Sequence, residues 1–184
     1  MKFYLLGLFA GDGWFQERGI AIGTNSENFA NEIAECATKV FGKCSIKKRT
    51  YRDGHVMYNI YVWRKSISDE FKLLLGTEKQ KSKTFRIPEM TKEERRQFIA
   101  GIFDAEATCY FWKDKPRIGM EIHNENAAKT ICQFLREDGI RCYVSKCKRG
   151  AFKLDFTGNE NVNKFFMYYH TLRLIPSPTG KSTL

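Results

Sequence analysis

Residues Leu5 to Gly13 read LLGLFAGDG, and Ile99 to Ala107 read IAGIFDAEA. Gly7 and Gly101 lie 94 residues apart, and so do Asp12 and Glu106. Each stretch pairs two small residues four apart, Gly7 with Gly11 and Gly101 with Ala105. On a helix that spacing puts both on one face, and small residues there let a second backbone come close. The two stretches predict a tight helix pair at the centre of an internal twofold.

Working outward, the duplication continues. Ser26-Glu27-Asn28 matches Asn124-Glu125-Asn126, Gly42 matches Gly139, and Cys44 matches Cys142, with the offset drifting from 94 to 98. The drift predicts a longer first hairpin in the second half. Each half reads helix, two strands, helix, two strands, helix. The first helices are expected at about 3–11 and 91–105, the second opened by a capping box of Thr91 and Glu94. Strands follow at 14–24 and 108–124, the latter turning at Lys113-Asp114-Lys115-Pro116. Middle helices fall at 26–41 and 124–138, second hairpins at 44–63 and 141–157, and final helices at 68–75 and 159–170. The halves are read as 1–85 and 92–184, with 86–91 as linker and Pro88 barring a helix from running through.

Several strands alternate. Phe152, Leu154 and Phe156 oppose Lys153, Asp155 and Thr157, and Ile118, Met120 and Ile122 oppose Arg117, Glu121 and His123. Such a pattern predicts antiparallel sheets with helices on one face and the other open. The open face carries charge, either as ordinary solvation or as a surface for a duplex. The chain holds 31 Lys and Arg against 21 Asp and Glu, a net +10, which favours a polyanionic partner. Lys47, Arg49, Arg117, Lys146, Lys148 and Lys153 are the expected contributors.

The six cysteines form no CxxC pair, and with three His they do not suggest zinc. They read as small buried residues, with Cys36/Cys44 and Cys132/Cys142 left open as two equivalent disulfides. The apolar run at the N-terminus has no small-x-small cleavage site and recurs in mid-chain, so it is not read as a signal peptide. No apolar stretch is long enough to span a membrane. The expected location is intracellular, in the cytoplasm or in an organelle if the gene is organellar.

Asp12 and Glu106 each follow the second small residue directly. Helix C-termini already carry negative partial charge, which disfavours a carboxylate. The twofold would bring the two acids near each other, adding repulsion. Both costs vanish if the acids hold divalent cations, and Mg²⁺ on hard oxygen ligands suits phosphodiester hydrolysis.

On these motifs the chain resembles the LAGLIDADG homing endonucleases, in the single-chain form with two motifs, among them archaeal intron-encoded members. The resemblance covers nearly the whole chain. It implies an α+β fold of two pseudo-symmetric αββαββα halves, with helices packed on saddle-shaped antiparallel sheets that straddle DNA. It implies a monomer that cuts both strands of a long site to short 3′ overhangs, using Mg²⁺ or another divalent cation such as Mn²⁺. The metal-binding acids carry over to Asp12 and Glu106, and the preceding carbonyls of Gly11 and Ala105 are expected to ligate as well. Asp104 fills a position that is usually structural. The family's polar groups around the attacking water fall on Thr24-Asn25 and Ile122-His123. Its basic pocket residue points to Lys81 or Lys83. Two alternatives share the fold: a maturase that binds intron RNA, and a DNA-binding protein without cleavage. Retention of both acids favours the enzyme.

Overall fold

The computed structural model describes residues 1–76 and 81–174, with the side chains of 81 and 82 left out. Among the described residues seven helices and eight strands follow one another in a repeated order. They are α1 (Lys2–Asp12), β1 (Gly13–Gln16), β2 (Gly19–Thr24), α2 (Glu27–Phe41), β3 (Ser45–Thr50), β4 (Val56–Val62) and α3 (Lys65–Leu75). A single-turn helix, α4 (Lys81–Thr84), precedes α5 (Lys92–Glu106), β5 (Thr108–Trp112), β6 (Lys115–Ile122), α6 (Glu125–Glu137), β7 (Tyr143–Lys146), β8 (Phe152–Thr157) and α7 (Asn159–Tyr168). The strands form two antiparallel four-stranded sheets, ordered β1-β2-β4-β3 and β5-β6-β8-β7. This is the α+β architecture expected from the repeat.

Local chemistry sets the boundaries. Thr91 Oγ1 accepts from the Glu94 N–H while the Glu94 carboxylate accepts from the Thr91 N–H, so the capping box opens α5. Ser26 caps α2 through the Phe29 N–H, and Asn124 caps α6 through the Ala127 N–H. Asn124 also donates to the Phe85 carbonyl at 2.7 Å, which ties the connection between the halves to α6. The β5–β6 turn is tighter than expected. Lys113 and Asp114 alone make it, at φ 47° and 60°, and Lys115-Pro116 already belongs to β6. Both first hairpins thus turn on two residues, and the second is longer because β5 and β6 are longer.

One continuous apolar core runs through both halves. Its axis is the α1–α5 pair. A Cβ on Gly7 would overlap the Phe98 carbonyl oxygen and lie 2.9 Å from the Ile102 nitrogen. Reciprocally, one on Gly101 would overlap the Tyr4 carbonyl oxygen and lie 2.8 Å from the Leu8 nitrogen. Each glycine faces the helix turn that carries the other, as a twofold requires. Ring contacts repeat the relation: Phe9 meets Phe71 at 5.3 Å and Phe103 meets Phe165 at 4.8 Å. Leu5, Leu6, Leu8, Phe9, Ile99, Ile102 and Phe103 are all buried, and each large side chain contributes about 1.5–3 kcal/mol by leaving water. This packing outweighs the poor helix propensity of the glycines.

Ile20, Ile22, Ile60 and Val62 in the first sheet, and Ile118, Met120, Leu154 and Phe156 in the second, are buried in that core. The register sends the intervening residues to the opposite face. None of the six cysteines is in a disulfide, and the Cys44 thiol donates to the Ala34 carbonyl. Among the described residues no helix is long and apolar enough to cross a membrane.

Candidate active site

The motif helices end on their acids. Gly13 and Ala107 leave helical geometry, at φ −95° and −89°, while their N–H groups still bond the Phe9 and Phe103 carbonyls. Asp12 and Glu106 are therefore the last residues of α1 and α5, where each chain turns into its first strand. The two helix ends touch. A Cβ on Gly11 would overlap that of Ala105 and lie 3.1 Å from Glu106 Cγ and 3.3 Å from Glu106 Oε1. Only glycine admits the second carboxylate this close to the α1 backbone. Both acids are exposed and line one open cavity of about 310 Å³. Thr24, Asn25, His55 and Arg173 share its wall. That volume is at the small end for a ligand pocket.

Arg173 was not identifiable from the sequence. Its guanidinium donates to the Asp104 carbonyl oxygen and, at 2.7 Å, to that of Ala107. It thus brings positive charge to the negative end of α5, on either side of Glu106. The tail that carries it is held by Asp104, a fully buried carboxylate. Asp104 accepts from Tyr4 Oη at 2.7 Å and from the N–H groups of Leu172, Arg173 and Leu174 at 2.6, 3.0 and 2.7 Å. Burial pushes the Asp104 carboxyl above its ordinary range, and those donors pull it back. The motif's buried acid is structural, as expected, and its specific task is to clamp residues 172–174 against the cavity.

The other expected positions divide. Asn25 is exposed in the cavity wall. Thr24 is nearly buried, and its Oγ1 accepts from the Ser26 N–H at 3.2 Å. His123, the position equivalent to Asn25, is exposed outside that cavity. Lys83 is exposed on α4 and does not line it, and the side chain of Lys81 lies outside the described residues. His55, at the foot of the β3–β4 hairpin, takes a place in the wall that its sequence context did not signal. On the Glu106 flank, Thr108, Glu121 and Lys153 line an adjoining cleft.

The basic positions also divide. Lys47 and Arg49 pair with Asn59 and Met57 on the open face of the first sheet, and Lys153 lies on that of the second. Arg117 is on the open face but donates to Asp155 as an ion pair. Lys146 is two residues beyond Val144, which packs on the core, so it projects to the helix side. Lys148 sits at the β7–β8 turn.

Two acids, duplicated in sequence and brought together at the ends of paired helices, mark the site. Residues 2–81 match the LAGLIDADG-like domain. No curated protein matches the chain in sequence. Among solved structures, the LAGLIDADG-type fold recurs at low identity. The homing endonuclease I-DmoI in complex with DNA and Mn aligns over 94% of this chain and 97% of its own, with 18% identity and a TM-score of 0.62. I-WcaI bound to its DNA recognition sequence aligns over 100% and 87%, with 10% identity and a TM-score of 0.64. The N-terminal LAGLIDADG domain of DUF199/WhiA aligns over 94% and 83%, with 12% identity and a TM-score of 0.65. At these identities the likeness is one of fold.

The donor set also bears on the divalent metal expected from the sequence. Among the described residues no three His, Cys, Asp or Glu side chains converge as a metal cluster. Two exposed carboxylates and the nearby backbone carbonyls of Gly11 and Ala105 are hard oxygen donors. They fit a cation such as Mg²⁺, which uses one or two carboxylates and completes its shell with water and substrate phosphate.

Proposed function

We propose that this chain is a site-specific double-stranded DNA endonuclease that hydrolyses phosphodiester bonds with Mg²⁺ or Mn²⁺. On this reading halves 1–85 and 92–184, joined by 86–91, form a monomeric pseudodimer that cuts both strands to leave short 3′ overhangs. The observation that carries it is the placement of Asp12 and Glu106 side by side in one open cavity. Asp12 and Glu106 would be the metal ligands, each serving mainly one scissile phosphate, with the carbonyls of Gly11 and Ala105 beside them. When bound, the cation polarises a phosphate oxygen and eases ionisation of the attacking water. Asn25 and His55 offer hydrogen bonds to a phosphate or water on the Asp12 flank. Arg173 holds the end of α5 and keeps a positive charge beside the scissile region.

The test begins with a randomised duplex library, from which bound sequences are selected. The selected duplexes are then incubated with Mg²⁺, Mn²⁺ or EDTA. The expected result is double-strand cutting with either metal and none with EDTA. Selected duplexes that stay intact with both metals would refute the nuclease reading. Tight binding of intron RNA under those conditions would put a splicing cofactor in its place. Sedimentation without DNA is expected to show a monomer.

A further inference from the structure

The two open sheet faces hold their cations by different means. On the first face, Lys47 lies over the rings of Tyr61 and Trp63, at 5.4 and 5.8 Å from their centroids. Those rings are themselves stacked 5.0 Å apart, and Trp14 meets Tyr61 edge-on at 6.5 Å. Arg49 lies over Tyr51 at 5.0 Å. No described strand residue on this face is acidic: Trp14, Ala21, Lys47, Asn59 and Tyr61 align across it. On the second face two carboxylates stand among three cations, Lys115, Arg117 and Lys153. Arg117 is ion-paired with Asp155, and Lys153 stands directly across from Glu121 in the β6–β8 register.

The difference has an electrostatic consequence. An aromatic ring holds a cation in place through its quadrupole and leaves the charge uncancelled. A carboxylate holds it by neutralising it, and a polyanion must then displace or repel that carboxylate. Side-chain ordering is part of the cost of association, and the rings have already met it for Lys47 and Arg49. We propose that the first half is the anchoring half. Its face, cationic and braced by rings, supplies most of the phosphate affinity and of its salt dependence, while the second face contributes little net charge to binding. The proposal rests on the DNA-binding reading above.

The experiment measures duplex binding over a salt series, on a library-selected duplex and with the full chain. Lys47→Gln/Arg49→Gln is expected to weaken binding about tenfold and to flatten the plot of log K against log salt by nearly two units, about 0.9 for each phosphate no longer neutralised. Arg117→Gln/Asp155→Asn removes one charge of each sign and is expected to cost less than about threefold with little change in slope. Tyr61→Leu/Trp63→Leu keeps every charge and is expected to weaken binding at unchanged slope. Thermal midpoints confirm that each variant folds. Equal losses of affinity and slope from the first two variants overturn the proposal while leaving DNA binding intact. A parent protein that binds no duplex removes both this inference and the nuclease reading.

Discussion

Replacing Arg173 by Met isolates what the tail does for the site. The backbone N–H of Arg173 keeps its bond to Asp104, so the segment stays clamped and only the guanidinium is lost. Two hydrogen bonds disappear, to the carbonyls of Asp104 and Ala107. Bonds to a charged group contribute about 1.5–3 kcal/mol each. The Ala107 end opens on the cavity, where water replaces part of the loss, so the net cost is about 2 kcal/mol. In a chain of this length that lowers Tm by roughly 4–8 °C, measurable by calorimetry. Arg173→Lys keeps the charge without the planar fork and should recover part of the loss. The functional readout is strand-specific. On the proposed reading, the end of α5 loosens beside Glu106, so the strand served by Glu106 is nicked more slowly while the Asp12 strand keeps its rate. The assay is nicking of a supercoiled plasmid bearing the selected site, with each strand end-labelled in parallel. A Tm within a degree of the parent, together with parental rates on both strands, would refute the clamp.

Three further outcomes follow from particular contacts. Gly7→Ala or Gly101→Ala drives a Cβ into the opposing helix backbone, where overpacking costs about 1–3 kcal/mol or more; denaturant unfolding should show both variants strongly destabilised, by similar amounts because the contacts are reciprocal. Asp138 is buried, which raises its pKa, but hydrogen bonds from Arg96, Tyr169 and Lys92 overcome this and hold it at about 2. A depressed carboxyl contributes stability that is complete above its unfolded pKa of 3.8 and disappears as pH falls through about 2; Asp138→Asn should lie below the parent by about 2 kcal/mol at neutral pH, and the two acid-unfolding curves should converge in that window. Asp12→Asn and Glu106→Gln each keep shape and remove charge, so double-strand cutting should collapse while duplex binding survives; an unchanged cutting rate in either variant sinks the metal-site assignment.

The sequence exposed what is periodic or local. The helix pair was legible because Gly7/Gly11 and Gly101/Ala105 repeat at one spacing, and the start of α5 because Thr91 and Glu94 close their own box. It hid what depends on tertiary register. Arg117 and Asp155 are 38 residues apart, and only the β6–β8 pairing brings them together. Arg173 reaches Asp104 across 69 residues from a tail with no repeat or pattern. The single turn of α4 has no apolar period to announce it. Lys146 is a different case: it shares the parity of Val144, and counting by twos along β7 would have placed it on the helix side.

The duplication is strict at the helix pair and loose at the rim of the cavity, and packing explains both. Gly7 can face Phe98 only while Gly101 faces Tyr4, because each backbone fills the space left by the other's missing Cβ. A change on one helix is met at once by the other, so the two stay in register. Asp12 and Glu106 inherit that register as the last residues of the same helices. The wall around them has no such coupling. Asn25 and His55 on one flank, and Arg173, Glu121 and Lys153 on the other, are solvent-facing or supplied by segments outside the twofold. Two equivalent acids therefore sit in two different surroundings. On the nuclease reading, the two DNA strands are expected to be cut at unequal rates in the parent protein itself, and equal rates across a metal titration would show that the rim residues do not matter to the chemistry.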